Sequence, residues 1–322
     1  MKKVKIAFVD GYHGFKPEDS FLYGFLTERF GAELSDDPDY LLCQPFGFSH
    51  LKYEKPVKIF FTGENVFPDF NYYDYAIGFD HLDFGDRYLR VPLYAVRAPF
   101  KDFRNLESLP SKEQLLDRRF CSFVVSNGQG AHPIRQKFFE ELSRYKPVDS
   151  GGRYMNNIGG PVEDKQSFVR AHKFNIAFES SSYPGYVTEK IMDAYAGWSV
   201  PIYWGDPMID TDFRSGSFIK VRDEDDIKRA IDEVVRLDTN DDLYLKMCLG
   251  ECLSMPSRNY IDEMECFFRT IFAQDLNVAR RRAEFGYNGT FYRNAIKKAF
   301  AAKETLERPK RIIGKIFRSV FR

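Results

Sequence analysis

The chain has 322 residues, of which 43% are hydrophobic and 29% are charged, and 47 basic side chains balance 47 acidic ones. This length and composition predict two globular domains, and the zero net charge argues against a general nucleic-acid-binding protein. The five cysteines are scattered and odd in number, which argues against a disulfide framework and favours a reducing compartment. The first apolar run, Val4–Val9, is too short for a signal peptide or a membrane span.

Short apolar runs alternate with helical patterns through the first half of the chain. Ser20 is expected to cap a helix over Phe21–Phe30, and Gly31 is expected to end it. A second amphipathic helix is predicted over Ile134–Tyr145. The glycines at 151 and 152 then interrupt the pattern and mark the expected joint between two domains. Strands are predicted over Val4–Val9, Tyr40–Cys43, Val57–Phe61, Tyr75–Phe79 and Phe120–Val125.

One stretch, residues 174–205, has the pattern of a strand, a polar loop, a helix and a second strand. The two strands are the apolar runs Phe174–Phe178 and Val200–Trp204. Thr188 is expected to cap the helix, with Glu189 in its first turn. Such a βαβ unit binds ligands at the carboxyl ends of its strands, so the polar loop is expected to hold a phosphorylated ligand.

The remaining sequence continues the alternation of strands and helices. Its elements predict an α/β fold with two lobes that each contain a parallel sheet. The expected domains are residues 1–152, residues 153–302 and a C-terminal tail over residues 303–322. The predicted elements are a strand over Phe218–Val221 and helices over Asp225–Arg236, Leu243–Leu253 and Tyr260–Phe272.

Several of these segments match a known family. Residues 178–181, 186–190 and 200–205 together resemble the signature of the α-1,3/4-fucosyltransferases of glycosyltransferase family 10, most closely its bacterial members. The resemblance implies a GT-B fold of two Rossmann-like lobes that face a cleft. The N-terminal lobe would bind the acceptor, the C-terminal lobe would bind GDP-fucose, and transfer would be inverting. Further resemblance lies in residues 60–65, 75–80, 86–90 and 147–153.

The resemblance also implies which residues bind the donor. Arg153, Tyr186, Glu189 and Lys190 match donor-binding residues of the family, and Ser180 stands where an asparagine is common. Lys190 and Arg153 would set positive charge beside the departing diphosphate. Glu189 would accept hydrogen bonds from sugar hydroxyls. The alternative for Glu189 and Lys190 is a capped helix whose charges are only solvated.

Glu64 is the candidate catalytic residue of the first lobe. It follows the predicted strand Val57–Phe61, at the strand end where an α/β lobe carries active-site carboxylates. The resemblance implies that Glu64 is the general base that takes the proton from the acceptor hydroxyl. The alternative is a carboxylate in a solvent-exposed turn.

Asp210 and Asp212 could form a carboxylate pair that holds a nucleotide–Mn²⁺ complex. The alternative, which the sequence favours, is a solvated turn after the strand that ends at Trp204. Lys190 and Arg153 are expected to supply the positive charge that a metal would otherwise bring. No essential metal or other cofactor is therefore predicted.

The last residues, Pro309–Arg322, form a separate feature. Their isoleucine, phenylalanine and valine side chains fall on one helical face, and basic side chains lie on the opposite face. This pattern is typical of a helix that lies in a membrane interface. The alternative is a helix that packs back on the protein.

The sequence predicts an inverting transferase that moves L-fucose from GDP-β-L-fucose to a glycan hydroxyl, O3 of N-acetylglucosamine in a LacNAc-type or surface glycan. The expected partners are GDP-fucose, the oligosaccharide acceptor and an anionic membrane surface, without nucleic acid. The expected location is cytoplasmic, on the inner face of the cytoplasmic membrane. Two alternatives remain open: a GT-B transferase that uses another nucleotide sugar, and a catalytically inactive, membrane-associated glycan-binding protein.

Overall fold

The computed structural model describes residues 3–96, 109–128, 130–255, 258–283, 285–303 and 305. This part of the chain divides into two compact units. The first unit contains residues 3–78 and 83–89 and the described residues from 262 onward. The second contains residues 79–82 and the described residues between 90 and 261. Each unit has its own sheet, as the alternation of strands and helices predicts.

The sheet of the first unit has six strands, which are β1 (Val4–Val9), β2 (Ala32–Leu34), β3 (Tyr40–Cys43), β4 (Val57–Phe61), β5 (Tyr75–Gly78) and β6 (Tyr88–Arg90). Their order is β2-β1-β3-β4-β5-β6, and the pairs from β2 to β5 are parallel. β3 and β5 are buried along their whole length, in keeping with their continuous apolar sequences. The carboxyl ends of β1, β3 and β4 therefore lie along one edge.

The helix Phe21–Phe30 has the termini that the sequence predicts. Ser20 Oγ accepts a hydrogen bond from the backbone N–H of Tyr23 at 3.1 Å. Gly31 ends the helix in the left-handed conformation, with φ 62°, which costs glycine no steric strain. These two local signals define the helix without help from distant residues.

The chain returns to the first unit through the helix Tyr260–Phe272. The ring centroid of Phe268 lies 6.1 Å from that of Phe25, and Phe272 lies 4.6 Å from Tyr40. Phe268 is fully buried, and burying such a side chain stabilises a fold by about 1.5–3 kcal/mol. The first unit is therefore assembled from segments far apart in sequence. After the helix Tyr260–Phe272, the same unit contains a helix over Leu276–Ala279, a π-helix over Tyr287–Tyr292 and a helix over 293–303.

The sheet of the second unit has five strands, which are β7 (Arg119–Phe123), β8 (Val148–Ser150), β9 (His172–Phe178), β10 (Val200–Trp204) and β11 (Ile219–Lys220). Their order is β11-β10-β9-β7-β8, and every pair is parallel. β9 and β10 flank the helix Lys190–Ala196 in sequence, so the predicted βαβ unit is confirmed. The other helices are Lys112–Leu116, Ile134–Ser143, Lys165–Arg170, Ile227–Asp238 and Asp241–Leu249.

The division between the units differs from the predicted boundary after residue 152. β7 and β8 precede that residue, yet β7 pairs with β9 in the second sheet. The chain passes into the second unit near residue 90. Gly152 lies inside this unit, where an added Cβ would stand 2.0 Å from the backbone oxygen of Val125. The glycine therefore permits a close backbone approach and does not mark a joint.

Most other predicted elements differ from the observed ones by a few residues at their ends. The helix predicted to end at Tyr145 ends at Ser143, and the strand predicted to begin at Phe174 begins at His172. The predicted tail helix over Pro309–Arg322 lies outside the described residues. Among the residues that are described, no helix combines the length and the apolar character needed to cross a membrane.

Candidate functional site

A fully buried carboxylate lies immediately after β9. The Glu179 carboxylate accepts a hydrogen bond from the N–H of Thr188 at 2.8 Å and others from the hydroxyl of Thr188 at 2.8 and 3.0 Å. Lys190 Nζ donates to the same carboxylate at 2.9 Å and to Thr188 Oγ1 at 2.7 Å. Burying a charge is costly unless it is paired and hydrogen-bonded, and these donors meet both needs.

This network changes the start of the following helix. The sequence predicts Thr188 as the N-cap residue, but the helix begins at Lys190 and Glu189 occupies the N-cap position without a side-chain hydrogen bond to the helix. The prediction is wrong because Thr188 Oγ1 accepts a hydrogen bond from Lys190 Nζ, while its hydroxyl hydrogen is directed to the buried Glu179 carboxylate. A hydrogen bond from a charged ammonium is stronger than one from a neutral backbone N–H, which favours the contact with Lys190 over a helix cap.

Lys190 is held as a cation between two acidic side chains. Burial acts to lower the pKa of Lys190, but the carboxylates of Glu179 and Glu189 outweigh it and raise that pKa. The nearest Glu189 oxygen lies 3.8 Å from Lys190 Nζ. The Lys190 side chain is 21% exposed, so part of it remains accessible to a ligand.

Ser180 and Tyr186 lie together in the loop between β9 and the helix. Ser180 Oγ is 3.4 Å from the phenolic oxygen of Tyr186, and either oxygen can donate that hydrogen bond. Tyr186 is buried, and its ring centroid lies 5.2 Å from that of Phe79. The backbone oxygen of Ser180 accepts the N–H of His132 at 3.0 Å. The structure therefore brings Ser180, Tyr186 and Lys190 to one loop and helix start.

Arg153 reaches the same edge of the sheet from another strand. It follows β8, which lies beyond β7 from β9, so Arg153 and Ser180 both come after the carboxyl ends of parallel strands. Arg153 is exposed, and its guanidinium makes no hydrogen bond to any residue that the structure describes. Its place inside the second unit differs from the predicted joint between domains.

Arg135 is a buried cation that sequence reasoning missed. Its Nε donates to the backbone oxygen of Glu179 at 2.7 Å, and its second terminal nitrogen donates to that of Phe178 at 2.9 Å. Burial lowers the pKa of Arg135. A single arginine in an amphipathic helix is typical of a surface position, so only the fold reveals that it braces the end of β9.

Asp206 fixes the loop from the end of β10, and the sequence did not single it out either. Its carboxylate accepts the N–H of Gly185 at 2.8 Å and the N–H of Met208 at 2.8 Å. Its own N–H donates to the phenolic oxygen of Tyr203 at 3.1 Å. Burial raises the pKa of Asp206. The loop that carries Tyr186 is thus anchored by both strands of the βαβ unit.

Glu64 lies in the first unit, three residues after the end of β4. Its side chain is exposed, and its backbone N–H donates to Thr62 Oγ1 at 2.9 Å. Tyr12 and Phe46 follow β1 and β3 at the same edge, half exposed, with ring centroids 6.1 Å apart. Glu64 is therefore presented to solvent beside an aromatic surface.

A second buried carboxylate, Asp10, holds the loop after β3. It accepts the N–H of Ser49 at 2.6 Å and the N–H of His50 at 3.0 Å, and His50 Nδ1 lies 2.7 Å from Asp10 Oδ2. Burial acts to raise the pKa of Asp10, but the hydrogen bonds from His50 and Ser49 outweigh it and lower that pKa. Asp10 has φ 61°, an uncommon conformation outside glycine.

The two aspartates considered as metal ligands are bonded to protein cations. Asp210 contacts Lys220 Nζ at 2.6 Å and Ser215 Oγ at 2.6 Å. Asp212 is buried and accepts two hydrogen bonds from Arg90, at 2.7 and 3.0 Å, so the solvated turn predicted there is wrong for this residue. Among the described residues, no group of three or more histidine, cysteine, aspartate or glutamate side chains is arranged to hold a metal.

Two family descriptions match the chain. The alpha-(1,3)-fucosyltransferase FucT N-terminal domain matches residues 6–97, and the glycosyltransferase family 10 (fucosyltransferase) C-terminal region matches residues 112–248. The first match ends at residue 97, shortly after the chain passes into the second unit near residue 90.

Individual relatives agree with these matches. The chain is 36% identical over 302 residues to alpha-(1,3)-fucosyltransferase FucT of Helicobacter pylori, a match that covers 80% of this chain and 63% of that protein. It is 32% identical over 141 residues to human 4-galactosyl-N-acetylglucosaminide 3-alpha-L-fucosyltransferase 9, covering 42% of this chain and 37% of that one. The chain thus spans less than two thirds of the length of these curated relatives.

Solved structures give the same result for the fold. A crystal structure of alpha1,3-fucosyltransferase with GDP-fucose is 33% identical, with a TM-score of 0.69 over 85% of this chain and 90% of that one. Another crystal structure of alpha1,3-fucosyltransferase is 35% identical with a TM-score of 0.72. The predicted GT-B architecture of two Rossmann-like lobes is confirmed by this likeness. The chain belongs to glycosyltransferase family 10, the fucosyltransferase family.

Proposed function

We propose that the protein is an inverting α-1,3-fucosyltransferase that moves L-fucose from GDP-β-L-fucose to O3 of N-acetylglucosamine in a glycan. The observation that carries this proposal is the likeness of most of the chain to a solved α1,3-fucosyltransferase whose structure includes GDP-fucose. The cations at the carboxyl edge of the second sheet support it, since Lys190 and Arg153 both suit an anionic diphosphate.

The donor would bind at the end of β9. Lys190 and Arg153 would neutralise the charge that develops on GDP as its bond to fucose C1 breaks. Ser180 and Tyr186 would hydrogen-bond donor hydroxyls or phosphate oxygens, and the Glu189 carboxylate would accept hydrogen bonds from sugar hydroxyls. The polar contacts of this loop with Asp206 and Glu179 support a site that is already formed before the donor arrives.

Glu64 would act as the general base from the first unit. It would take the proton of the acceptor hydroxyl while that oxygen attacks fucose C1 from the face opposite GDP. The C1–oxygen bond to the β-phosphate breaks as the new bond forms, so the anomeric centre inverts. The exposed position of Glu64 beside Tyr12 and Phe46 supports contact with a large, solvated glycan.

The reaction would proceed without a bound metal. Asp210 and Asp212 face protein cations, which supports the use of Lys190 and Arg153 as the charges opposite the diphosphate. Transfer should therefore continue in the presence of EDTA. Loss of activity on chelation, restored by Mn²⁺, would contradict this part of the proposal.

The decisive experiment offers the protein a panel of nucleotide sugars together with N-acetyllactosamine. GDP-fucose alone should give product, and nuclear magnetic resonance of the product should report an α-linkage to O3 of N-acetylglucosamine. Product from a different nucleotide sugar would support the other GT-B transferase. Glycan binding without turnover of any donor would support an inactive glycan-binding protein.

The C-terminal residues Pro309–Arg322 would attach the enzyme to the inner face of the cytoplasmic membrane. The sequence has six lysine and arginine residues from Arg308 onward, and each is worth about 1 kcal/mol near an anionic surface. Deleting Pro309–Arg322 should abolish sedimentation with anionic vesicles and leave transfer to a soluble oligosaccharide nearly unchanged. High salt should only partly reproduce the deletion, because salt weakens the charge term and not the apolar one. Unfolding of the truncated protein would indicate a helix packed on the enzyme.

A further inference from the structure

Glu179 lies among the proposed donor residues but is too deeply buried to touch the donor itself. It is fully buried, and the atoms that surround its carboxylate belong to Thr188 and Lys190. The backbone of Glu179 is fixed as well, because its N–H donates to the oxygen of Trp204 at 2.8 Å and its oxygen accepts from Arg135. A carboxylate held so firmly against a lysine requires a reason.

We propose that Glu179 is a positioning residue that, together with the hydroxyl of Thr188, orients the Lys190 ammonium toward the diphosphate of the donor. The proposal rests on the proposed function, because it assigns Lys190 an anionic ligand. Glu179 itself contacts neither the donor nor the acceptor.

The number of hydrogen bonds on Lys190 supports this assignment. An ammonium has three N–H donors. One is directed to Glu179 Oε2 and one to Thr188 Oγ1. The nearest Glu189 oxygen is 3.8 Å away, beyond hydrogen-bond distance, so the third N–H can serve a ligand. A lysine without such anchors has four flexible carbons and must lose about 2 kcal/mol of rotamer freedom when it binds. The anchors remove much of that cost before the donor arrives.

The side chain of Glu179 passes close to the backbone of Gly205. An added Cβ at Gly205 would stand 2.5 Å from Glu179 Cγ and 2.9 Å from the phenolic oxygen of Tyr203. Glycine at this position lets the side chain of Glu179 pass close to the end of β10. The glycine, the glutamate and the lysine therefore form one structural unit, although 26 positions separate Glu179 from Gly205.

The charges around Lys190 determine how binding should depend on pH. Glu179 faces it from the end of β9, and Glu189 and Tyr186 face it from the loop and the helix start. Behind Glu179 lie the guanidinium of Arg135 and the hydroxyl of Tyr203. The remaining acid of the helix, Asp193, is paired with Lys165. Without the Glu179 charge, only Glu189 and Tyr186 would oppose the effect of burial, which lowers the pKa of Lys190.

The test replaces Glu179 with glutamine, which has the same shape but no charge. Calorimetric titration with GDP between pH 6 and pH 10 should give a wild-type affinity that changes little until high pH. Glu179→Gln should bind GDP about tenfold more weakly at pH 8, and its loss should grow as the pH rises. The matched control is Glu233→Gln, which removes a partly buried carboxylate paired with Arg236 in the same unit and should leave the affinity unchanged.

Thr188 provides a second test in case Glu179→Gln does not fold. Thr188→Val removes the hydroxyl and should weaken GDP binding, whereas Thr188→Ser keeps it and should bind more tightly than Thr188→Val. Wild-type GDP affinity at every pH in Glu179→Gln or in Thr188→Val would overturn the proposal. So would a loss in Glu179→Gln that is the same at every pH, since that is the result of simple structural damage. If the wild-type protein itself fails to bind GDP, the proposed function is what fails, and this inference falls with it.

Discussion

The two units solve a similar problem in different ways. Each has a buried carboxylate just after a strand of its sheet, Asp10 after β1 and Glu179 after β9. Asp10 holds backbone N–H groups and a histidine, and so fixes the shape of a loop. Glu179 holds the ammonium of Lys190, and so fixes the position of a charge. The contacts of Asp10 therefore shape the surface of a loop, and the contacts of Glu179 place a positive charge.

The difference matches the ligands that we propose for each unit. A neutral glycan is recognised through shape and hydroxyl contacts, so exposed side chains on three loops, such as Tyr12, Phe46 and Glu64, are suitable. A nucleotide diphosphate is anionic, and a cation in a partly buried site attracts it more strongly than one in water. Substitutions in each unit test this difference.

The largest effect is expected in the first unit. Glu64→Gln should slow transfer by about 10²–10⁴-fold, the usual consequence of losing a general base. GDP-fucose affinity should hardly change, because the residue acts on the acceptor proton. Single-turnover kinetics and calorimetry on the same preparation measure the two quantities. Near wild-type turnover, or a collapse of donor affinity, would remove Glu64 from this role.

In the second unit, substitutions of the two cations should both weaken GDP binding but should differ in their effect on thermal stability. Lys190→Ala and Arg153→Ala should each weaken GDP binding by about 1.5–3 kcal/mol, the value of a charged hydrogen bond. Only Lys190→Ala should also lower the thermal unfolding midpoint, because it leaves the buried Glu179 without its cation. Arg153 is exposed, so its loss should leave that midpoint unchanged. Unchanged GDP affinity in either variant would exclude that residue from the donor site.

The smallest effect concerns Asp10 and depends on pH. Asp10→Asn should lower the free energy of unfolding by about 1 kcal/mol at pH 7, since charged hydrogen bonds are stronger than neutral ones. The folded pKa of Asp10 lies below its usual 3.8, so its contribution is complete above that pH and is lost as the pH falls through the lower folded value. Urea unfolding at pH 7, 5 and 3 should therefore show a difference that is constant at first and then narrows. An equal difference at all three values would assign the effect to packing.

Elements with local signals were predictable from the sequence, and those that depend on distant partners were not. Ser20 and Gly31 mark the two ends of their helix through contacts within a few residues, and the helix has the predicted limits. The loop between β9 and the helix Lys190–Ala196 lies where the sequence predicts it, because a strand, a helix and a second strand in that order form a βαβ unit. The boundary between units was missed because β7 pairs with a strand far along the chain: Arg119 pairs with His172, 53 positions later.

The same limit explains the missed side chains. Asp212 reads as a polar turn residue, and only its pairing with Arg90, 122 positions earlier, makes it a buried ion. Glu179 lies within a recognised motif, yet its role depends on the direction of Lys190, which no spacing rule gives. A hydrogen bond that depends on a side-chain rotamer, or that joins residues far apart in the chain, produces no periodic pattern in the sequence.

The return of the helix Tyr260–Phe272 to the first unit has a consequence for synthesis. Chains emerge from the ribosome N-terminus first and their domains generally fold as units. The second unit is almost continuous in sequence, so its strands are complete once residue 220 has emerged. The strands of the first unit emerge early, but Phe268 and Phe272 emerge much later. Until then, Phe25 and Phe30 lack the aromatic contacts that they make with these two side chains in the folded unit. The unit whose strands are synthesised first therefore completes its hydrophobic core last.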